Sequence, residues 1–484
     1  MRLLFALTAP SLAFALAPAA LAQAPPGEGP ALGAVRISHD DIANGVYTPV
    51  EVRSHGQRVF STPFNKHDGF GDGLFDGFDP DSTSAGNRPY LQNNGTWLRV
   101  NGLDSQTCLE CHGVASNATI PATFGVGGVA GIGGSAMGGA TEIDVDDSDD
   151  NDYAGYNGRI INPPFVFGAG GVELVAKEMT AKLQLLKQAA VASPNVSIPL
   201  IANGVSFGSI LWDGADFDTS AVEGIDPSLV VAPFGRKGNN STVRVFDLGA
   251  MEFHHGMQPE ELTDDMNGDG APDPGVDNDP DNDGIVNEIT AGEMSALHIF
   301  GVSLEHPTVR GGHTPPANAG RQLFNSIGCT DCHVSSMVTG TRILPLQFPE
   351  LATDPFNPSN IYYEIDLGAQ PTRFPLAGNG VRVAMFSDLK RHDMGPGLAE
   401  STGDPLDAQF ITARLWGVAD TAPYLHDGRA LTLTEAIDQH GGEGAAAAAA
   451  FDALTGPQKI NLLTFLRSLR TPTVIANGLR QVGG

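Results

Sequence analysis

The spacing of apolar residues predicts several helices and strands. Residues 172–191 have the pattern of an amphipathic helix, and residues 292–304 are predicted to form a second helix. Residues 196–232 instead alternate between apolar and polar positions, as expected of a small β element. Two shorter strand-like runs, 361–367 and 381–386, lie among Pro- and Gly-rich turns. The pattern therefore predicts mainly helices, with small β elements between them.

Two further helices are predicted in the last third of the chain. One precedes Cys329 and has Leu323, Phe324 and Ile327 on one side. The other is close to the end of the chain, where four apolar residues three apart form the expected buried stripe: Ile460, Leu463, Leu466 and Leu469.

The first residues have the pattern of a secretory signal peptide. Residues 3–22 are almost wholly apolar, follow Arg2 and end in the A-x-A sequence Ala20-Leu21-Ala22. An uncleaved membrane anchor is the alternative. We expect a periplasmic or otherwise exported protein with no membrane span after cleavage.

The chain is strongly acidic. It has 56 Asp and Glu against 27 Lys and Arg, a formal charge of −29. Such a surface repels nucleic acid and anionic membranes, so neither is an expected partner. It suits the approach of a basic electron-carrier protein, although solubility alone also accounts for it.

The cysteines carry the clearest chemistry. All four fall in two C-x-x-C-H sequences, Cys108-x-x-Cys111-His112 and Cys329-x-x-Cys332-His333. Disulfides and zinc are the alternatives, but neither needs a His directly after each second Cys. Two thioether bonds to a porphyrin, with the next His on the iron, explain all six residues. We predict two covalent c-type haems.

These elements predict two cytochrome c-like haem domains. Residues 1–22 are the signal peptide, 23–310 an N-terminal haem domain with a β-rich insertion, and 311–484 a C-terminal haem domain. The helix before Cys329 and the helix near the chain end suit the second domain, because a buried porphyrin needs apolar walls.

The last third of the chain also resembles a known family. It contains F-S-D-L-K-R-H-D-M-G from residue 386 and T-A-P-Y-L-H-D-G from residue 421. With two C-x-x-C-H sequences, these motifs resemble the bacterial di-haem cytochrome c peroxidase superfamily, and most closely its di-haem oxidoreductase (thiol-oxidoreductase-like) branch. The resemblance covers residues 290–470 well and 155–290 more loosely.

This resemblance implies a second iron ligand for the C-terminal haem. In the peroxidases that ligand, commonly Met, lies fourteen positions after the His of the T-A-P-Y motif, which here is His440. A His333/His440 pair makes iron low-spin and saturated, so this haem would relay electrons. A helix-end cap is another role for His440, and Met394 is the competing ligand.

Substrate would then react at the first haem, opposite His112. Proton transfer there needs a carboxylate or imidazole close to the iron. The resemblance places this group within Met251–Met257, where Glu252, His254 and His255 are the candidates. The two His could instead be ordinary hydrogen-bonding residues, or one could ligate the iron and block it.

Tryptophans are candidates for electron transfer between the haems. The chain has Trp97, Trp212 and Trp416, and Trp416 lies a short distance before the T-A-P-Y motif. We expect Trp416 to contact the second haem, although a buried Trp is most often a core residue.

Two acidic loops suggest calcium. Oxygen ligands at alternate positions followed by Gly are typical of calcium loops, although the twelfth position here is Thr290, and Glu288 or Glu293 would have to replace it. Solvated loops are the alternative. The candidate ligands are Asp265, Asn267 and Asp269 in the first loop and Asp279, Asp281 and Asp283 in the second. The resemblance adds the backbone carbonyls of Thr421 and Pro423.

Together these features predict a di-haem oxidoreductase of the peroxidase type. Peroxide would be reduced at the N-terminal haem with electrons from a small donor protein of the cytochrome c or cupredoxin type. The alternatives are an enzyme that oxidises an organic or protein substrate, and a di-haem electron carrier with no enzymatic activity.

Overall fold

The computed structural model describes most of the chain beyond its first residues. The predicted signal peptide, Cys111 and both acidic loops lie outside the described residues. These residues are 29–33, 35–70, 107–110, 112–113, 159–263, 288–400 and 403–472, with short strands between 90 and 157.

Helices provide the larger part of the regular structure. The α-helices, α1 to α10, are His39–Ala43, Pro49–Ser61, Ala169–Val191, Val243–Ala250, Glu260–Thr263, Ala291–Val302, Pro315–Ser326, Leu433–Asp438, Ala445–Asp452 and Gly456–Leu466. A π-helix, Met251–His255, directly follows α4. Short 3₁₀ turns are Lys66–Asp68, Cys108–Glu110, Cys329–Asp331, Val418–Asp420 and Gly442–Gly444.

The strands are short and form small antiparallel sheets. The strands β1 to β18 are Tyr90–Leu91, Thr96–Trp97, Gly127–Ala130, Glu142–Asp144, Gly155–Asn157, Arg159–Ile161, Ile198–Ala202, Val205–Trp212, Phe217–Asp218, Thr308–Val309, Met337–Val338, Ile343–Gln347, Ile361–Asp366, Leu376–Ala377, Gly380–Val383, Arg391–Asp393, Gln409–Ile411 and Leu469–Arg470. Each sheet has two or three strands. Mixed helix and small sheets were predicted, and this coarse fold class is confirmed; the two cytochrome c-like domains stay a prediction.

Local sequence explains where several helices begin. Helices α2, α6 and α8 each follow a Thr whose hydroxyl accepts a hydrogen bond from the backbone N–H three residues later. The Glu at that later position accepts a hydrogen bond from the backbone N–H of the Thr. This capping box satisfies amide groups that have no partner within the helix. The pairs are Thr48/Glu51 for α2, Thr290/Glu293 for α6 and Thr432/Glu435 for α8.

The largest apolar core joins side chains from distant parts of the sequence. It includes Val175 of α3, Phe207 of β8, Ile299 of α6 and Leu344 of β12, all fully or almost fully buried. These residues come from both sides of residue 310, so the core spans the predicted domain boundary. The boundary itself stays a prediction.

The predicted buried stripe of the last helix is partly wrong. Ile460 is 64 % exposed, whereas Leu462, Phe465 and Leu466 of α10 face the core. A row of residues three apart drifts around a helix that has 3.6 residues per turn, so it cannot stay on one face. Leu469 is buried, but it lies in β18, beyond the helix end.

Helix α10 packs on α7, the helix that precedes Cys329. Phe465 lies edge-on to Phe324, with ring centroids 5.4 Å apart. The helix predicted before Cys329 is confirmed, and the apolar cluster formed here includes Cys329 at its edge. Among the residues that the structure describes, none of the helices has the length and apolarity needed to cross a bilayer.

Candidate haem sites

The second C-x-x-C-H motif directly follows helix α7. Gly328, at φ 91°, turns the chain into the Cys329–Asp331 turn, a left-handed conformation that glycine adopts without strain. The backbone N–H of His333 then donates to the carbonyl of Cys329 at 2.9 Å. Cys329 lies at the edge of the apolar cluster between α7 and α10, and the His333 ring lies 6.2 Å from Phe324 of that cluster.

The imidazole of His440 faces the imidazole of His333 in the same pocket. Their ring centroids are 6.4 Å apart, and the planes are tilted by 55°. Two metal–nitrogen bonds of about 2 Å, plus about 1 Å from each nitrogen to its ring centre, give a separation of about 6 Å. The gap therefore fits one metal ion held between the two rings.

Both histidines are oriented through the same ring nitrogen. Nδ1 of His333 lies 3.0 Å from the carbonyl oxygen of Phe386, and Nδ1 of His440 lies 2.8 Å from that of Ala436. An N–H at Nδ1 that donates to a carbonyl leaves Nε2 as the metal-binding nitrogen. Burial lowers the pKa of His333 to about 4, so its ring stays neutral. These residues fit the haem that the motif predicts.

Met394, the competing ligand, lies beside His440. A Cβ placed on Gly444 would meet His440 Cβ at 3.1 Å and Met394 Cε at 3.3 Å. The two side chains thus border the same small space, which only a glycine at position 444 leaves open.

A charged cluster next to Cys332 was not predicted from the sequence. Nε2 of His392 lies 2.8 Å from Oδ2 of Asp388, and Nδ1 lies 2.7 Å from Oε2 of Glu443. Potential ligand atoms of Cys332, Asp388 and His392 lie within 4.8 Å of one another. Since a thioether bond would use the Cys332 sulfur, we interpret the cluster as support for the second motif. The i, i+4 spacing of Asp388 and His392 was the available sequence signal.

The first C-x-x-C-H motif lies against a different apolar cluster. Cys108 and Leu109 pack on residues of α2 and α6 that include Phe60 and Phe300. The ring of His112 is 6.3 Å from that of Phe60, which is 5.4 Å from Phe300. The motif is therefore placed at an apolar wall, as a porphyrin requires.

The π-helix carries all three predicted proton-transfer candidates and places one of them, His255, beside Cys108. Nε2 of His255 lies 3.7 Å from Sγ of Cys108, and the His255 ring meets Phe64 edge-on at 5.2 Å. Burial raises the pKa of Glu252 to about 7. His254, on the same π turn, is half-buried. π-Helical turns occur often at functional sites, because the extra residue changes the direction of neighbouring side chains.

Trp416 belongs to the largest apolar core, where its ring lies 6.2 Å from Phe374, and its chain neighbours reach both clusters that hold the motifs. It is only 4 % exposed, and a Cβ on Gly168 would come within 2.8 Å of its ring. Gly168 follows Phe167 of the first cluster, whereas Leu415 and Val418 belong to the second. Trp212 packs instead on Phe217 in the β element, and the side chain of Trp97 lies outside the described residues.

The T-A-P-Y loop is tied to Asn162, which sequence analysis did not identify. The Asn162 side-chain amide donates to the carbonyls of Pro423 at 2.8 Å and Leu425 at 2.9 Å. The predicted calcium contact of Pro423 is thus filled by an amide in this structure, while Thr421 is half-buried at the end of a 3₁₀ turn. Calcium at the T-A-P-Y loop and at the acidic loops stays a prediction.

The alternative calcium ligands Glu288 and Glu293 have other contacts. Oε2 of Glu288 accepts from the backbone N–H of Gln258 at 2.6 Å. Glu293 forms the capping box of α6 and an ion pair with Arg36.

A family model covers the part of the chain around the second site. Residues 348–469 match the family described as "Di-haem oxidoreductase, putative peroxidase". The predicted resemblance to a di-haem, peroxidase-like family is confirmed. The matched segment of the di-haem oxidoreductase model contains His392, Met394, Trp416 and His440, and such a family implies two haems and oxidoreductase chemistry.

Two solved structures show limited similarity. One is a MauG-like protein associated with microbial copper homeostasis, at 23 % identity over 39 % of this chain and 59 % of that chain, with a TM-score of 0.22. The other is hydrazine synthase from Kuenenia stuttgartiensis, at 18 % identity over 38 % and 57 % of the chains, with a TM-score of 0.23. The chain spans less than two thirds of either structure. No curated protein matches the chain.

Proposed function

We propose that this chain is an exported di-haem c-type peroxidase that reduces peroxide at its first motif. The observation that supports this proposal is the difference between the two C-x-x-C-H sites. The second has two imidazoles, His333 and His440, at the separation that a saturated metal requires. The first has His112 and a π turn whose His255 lies 3.7 Å from Sγ of Cys108, and the same turn carries the half-buried carboxyl of Glu252, whose pKa burial raises to about 7.

Glu252 is the proton-transfer group in this proposal. A haem bound at Cys108, Cys111 and His112 supplies an iron that binds peroxide and exchanges electrons. With that group bound, Glu252 would take a proton from one oxygen of hydrogen peroxide and return it to the other, so that the second oxygen could leave as water. A pKa near 7 suits both halves of this transfer, since neither protonation state is rare at neutral pH.

His255 and Phe64 form a buried wall of this pocket. The His255 ring, 2 % exposed, packs on Phe64 beside Cys108. Bulk water is thereby kept away from the attached edge of the porphyrin, and a dry pocket strengthens the effect of each polar group inside it.

Electrons enter at the second site and cross near Trp416. A His/His pair keeps the second iron saturated, so that site passes electrons and binds no peroxide. We propose an aromatic route between the clusters through Trp416, Phe165 and Phe167; the Phe165 and Phe167 centroids are 5.4 Å apart. The net charge of −29 favours a small basic donor protein.

The test combines spectroscopy with turnover. Electron paramagnetic resonance of the oxidised protein should show one low-spin haem with two imidazole ligands and one haem that binds cyanide. Reduced cytochrome c should then be oxidised on addition of hydrogen peroxide. Two low-spin haems that bind no cyanide would show an electron carrier, and oxidation of an organic substrate without cytochrome turnover would show the other enzyme class.

A further inference from the structure

A group of ionisable side chains is buried beneath α3 and α6, away from both motifs. Glu173 and His298 are 0 % exposed, and Tyr362 is 9 % exposed. Burying such groups costs several kcal/mol each unless they are paired, so a buried set of this kind calls for an explanation. The proposed peroxide chemistry uses none of these three residues.

The three side chains form a chain of contacts. Nε2 of His298 lies 3.1 Å from Oε2 of Glu173, and Nδ1 lies 3.5 Å from the hydroxyl of Tyr362. An N–H at Nε2 that donates to a carboxylate fixes the tautomer, which leaves the lone pair of Nδ1 on the side of the phenol. The Tyr362 hydroxyl also lies 3.5 Å from the backbone carbonyl of Ser295, but of these two acceptors only the imidazole of His298 is basic enough to take up the phenolic proton.

Further contacts keep the carboxylate of Glu173 ionised. Burial alone raises the pKa of Glu173, but the charge of Lys177 and the hydrogen bonds from His298 and Val243 lower it. Nζ of Lys177 lies 3.4 Å from Oε1, and the backbone N–H of Val243 donates to Oε2 at 2.9 Å. An ionised carboxylate at Nε2 stabilises the imidazolium that forms when Nδ1 takes a proton.

Helix α6 connects this chain to the first haem motif. One face carries Leu297 and Phe300, which pack in the cluster that contains Cys108. The other carries His298, so the phenol of Tyr362 lies about one helix diameter, roughly 10 Å, from the first pocket. Electron transfer between aromatic groups is fast on the time scale of enzyme turnover over such a span.

We propose that Tyr362 is a redox-active residue that gives one electron to the peroxide-oxidised enzyme and its phenolic proton to Nδ1 of His298. The proposal rests on the proposed peroxidase function. Peroxide takes up two electrons and two protons to form two waters, and Tyr362 supplies one of these electrons. The product is a neutral tyrosyl radical beside an imidazolium. An electron from the donor protein later reduces the radical, and the proton returns from His298.

The surrounding charges explain why the proton must move with the electron. Burial raises the pKa of the Tyr362 phenol, so the group that is oxidised is protonated. The guanidinium of Arg244 lies 5.8 Å from the Tyr362 ring and disfavours a second positive charge there. A radical cation is therefore costly, and the neutral radical forms only if His298 accepts the proton.

The test is flash photo-oxidation of the haem-loaded protein by an external ruthenium sensitiser, followed by electron paramagnetic resonance. Wild type should give a tyrosyl signal that narrows when the protein contains ring-deuterated tyrosine. Tyr362→Phe should lower the signal at least tenfold, whereas the matched control Tyr363→Phe, half-buried on the same strand, should leave it unchanged. An undiminished signal in Tyr362→Phe would overturn the proposal.

Two further measurements separate this proposal from the peroxidase function. In wild type, a radical trapped in D2O should show an exchangeable deuteron coupled to the phenoxyl oxygen, and His298→Gln should lower the radical yield at least tenfold. Rapid freezing after peroxide addition should give the same radical; its absence there, despite a flash-induced signal, overturns the role in peroxide reduction. If peroxide turnover itself is missing, the proposed function fails, while the flash experiment still decides whether Tyr362 is redox-active.

Discussion

Nε2 of His392 lies 2.8 Å from the carboxylate of Asp388. Its other nitrogen, Nδ1, lies 2.7 Å from Glu443, three residues after His440. The imidazole thus joins the segment that follows the second C-x-x-C-H motif to the segment that carries the proposed distal ligand. Both partners accept hydrogen bonds, so the ring is most stable with both nitrogens protonated.

Replacing His392 by Asn should destabilise the protein in a pH-dependent way. Burial alone would lower the pKa of His392, but the two carboxylates hold this pKa well above its usual value of 6.5. A raised folded-state pKa gives stability that is complete below about pH 6.5 and is lost as the pH rises towards the folded-state pKa. We expect a loss of about 1–3 kcal/mol at pH 6, with a smaller difference at pH 9, measured by denaturant unfolding. His313→Asn, on an exposed side chain, is the control and should change little.

Replacing Glu252 by Gln should abolish most peroxide turnover. Loss of a positioned proton-transfer group typically costs 10²–10⁴-fold in rate. The rate should also lose its dependence on a group with a pKa near 7, while both haems stay attached. Glu305→Gln is the matched control, because burial also raises the pKa of Glu305, which pairs with Arg373 instead. Turnover within tenfold of wild type in Glu252→Gln would exclude this role.

The same Glu252→Gln variant should be more stable than wild type at alkaline pH. Burial raises the pKa of Glu252 from 4.5 to about 7, so the folded protein favours the neutral acid. Wild type therefore loses stability as the pH rises from about 4.5 through about 7, whereas the amide does not titrate. The Tm of the variant should exceed that of wild type at pH 8 and equal it at pH 4. Equal values at both pH values would show that the carboxyl is not buried.

Replacing His440 by Met should raise the reduction potential of the second haem. A thioether ligand favours ferrous iron relative to imidazole, so a shift on the order of 0.1 V or more is expected in a redox titration. The iron should stay low-spin, and the first haem should keep its potential. Met394→Leu should shift neither haem; a shift in that variant instead would assign the ligand to Met394.

Replacing Phe465 by Ala should strongly destabilise the protein. This ring is fully buried and meets both Phe324 and Phe386 edge-on. The cavity should cost about 3–5 kcal/mol of unfolding free energy. Ile460→Ala, on the same helix but exposed, should change stability by less than about 0.5 kcal/mol. Similar losses in the two variants would contradict the observed orientation of α10.

Local features of the structure could be predicted from the sequence, and long-range ones could not. Helices α3, α6 and α7 were predicted from the sequence, and the pairing of His333 with His440 was expected from the resemblance carried by the T-A-P-Y motif. By contrast, Glu173 and His298 are 125 residues apart, and no local pattern indicates that they meet. Ile460 shows a related limit, because a stripe of apolar residues does not reveal which part of it meets a neighbouring element.

The pairing of β10 with β18 has a consequence for how the protein matures. Val309 lies opposite Leu469, and Leu469 is also part of the apolar shell around Cys329. A porphyrin is a rigid plate, and a closed shell of packed side chains leaves no passage for it. If the predicted haem is attached at Cys329, its thioether bond must therefore form before this strand pairing, and cofactor insertion would set the order in which the two distant segments join.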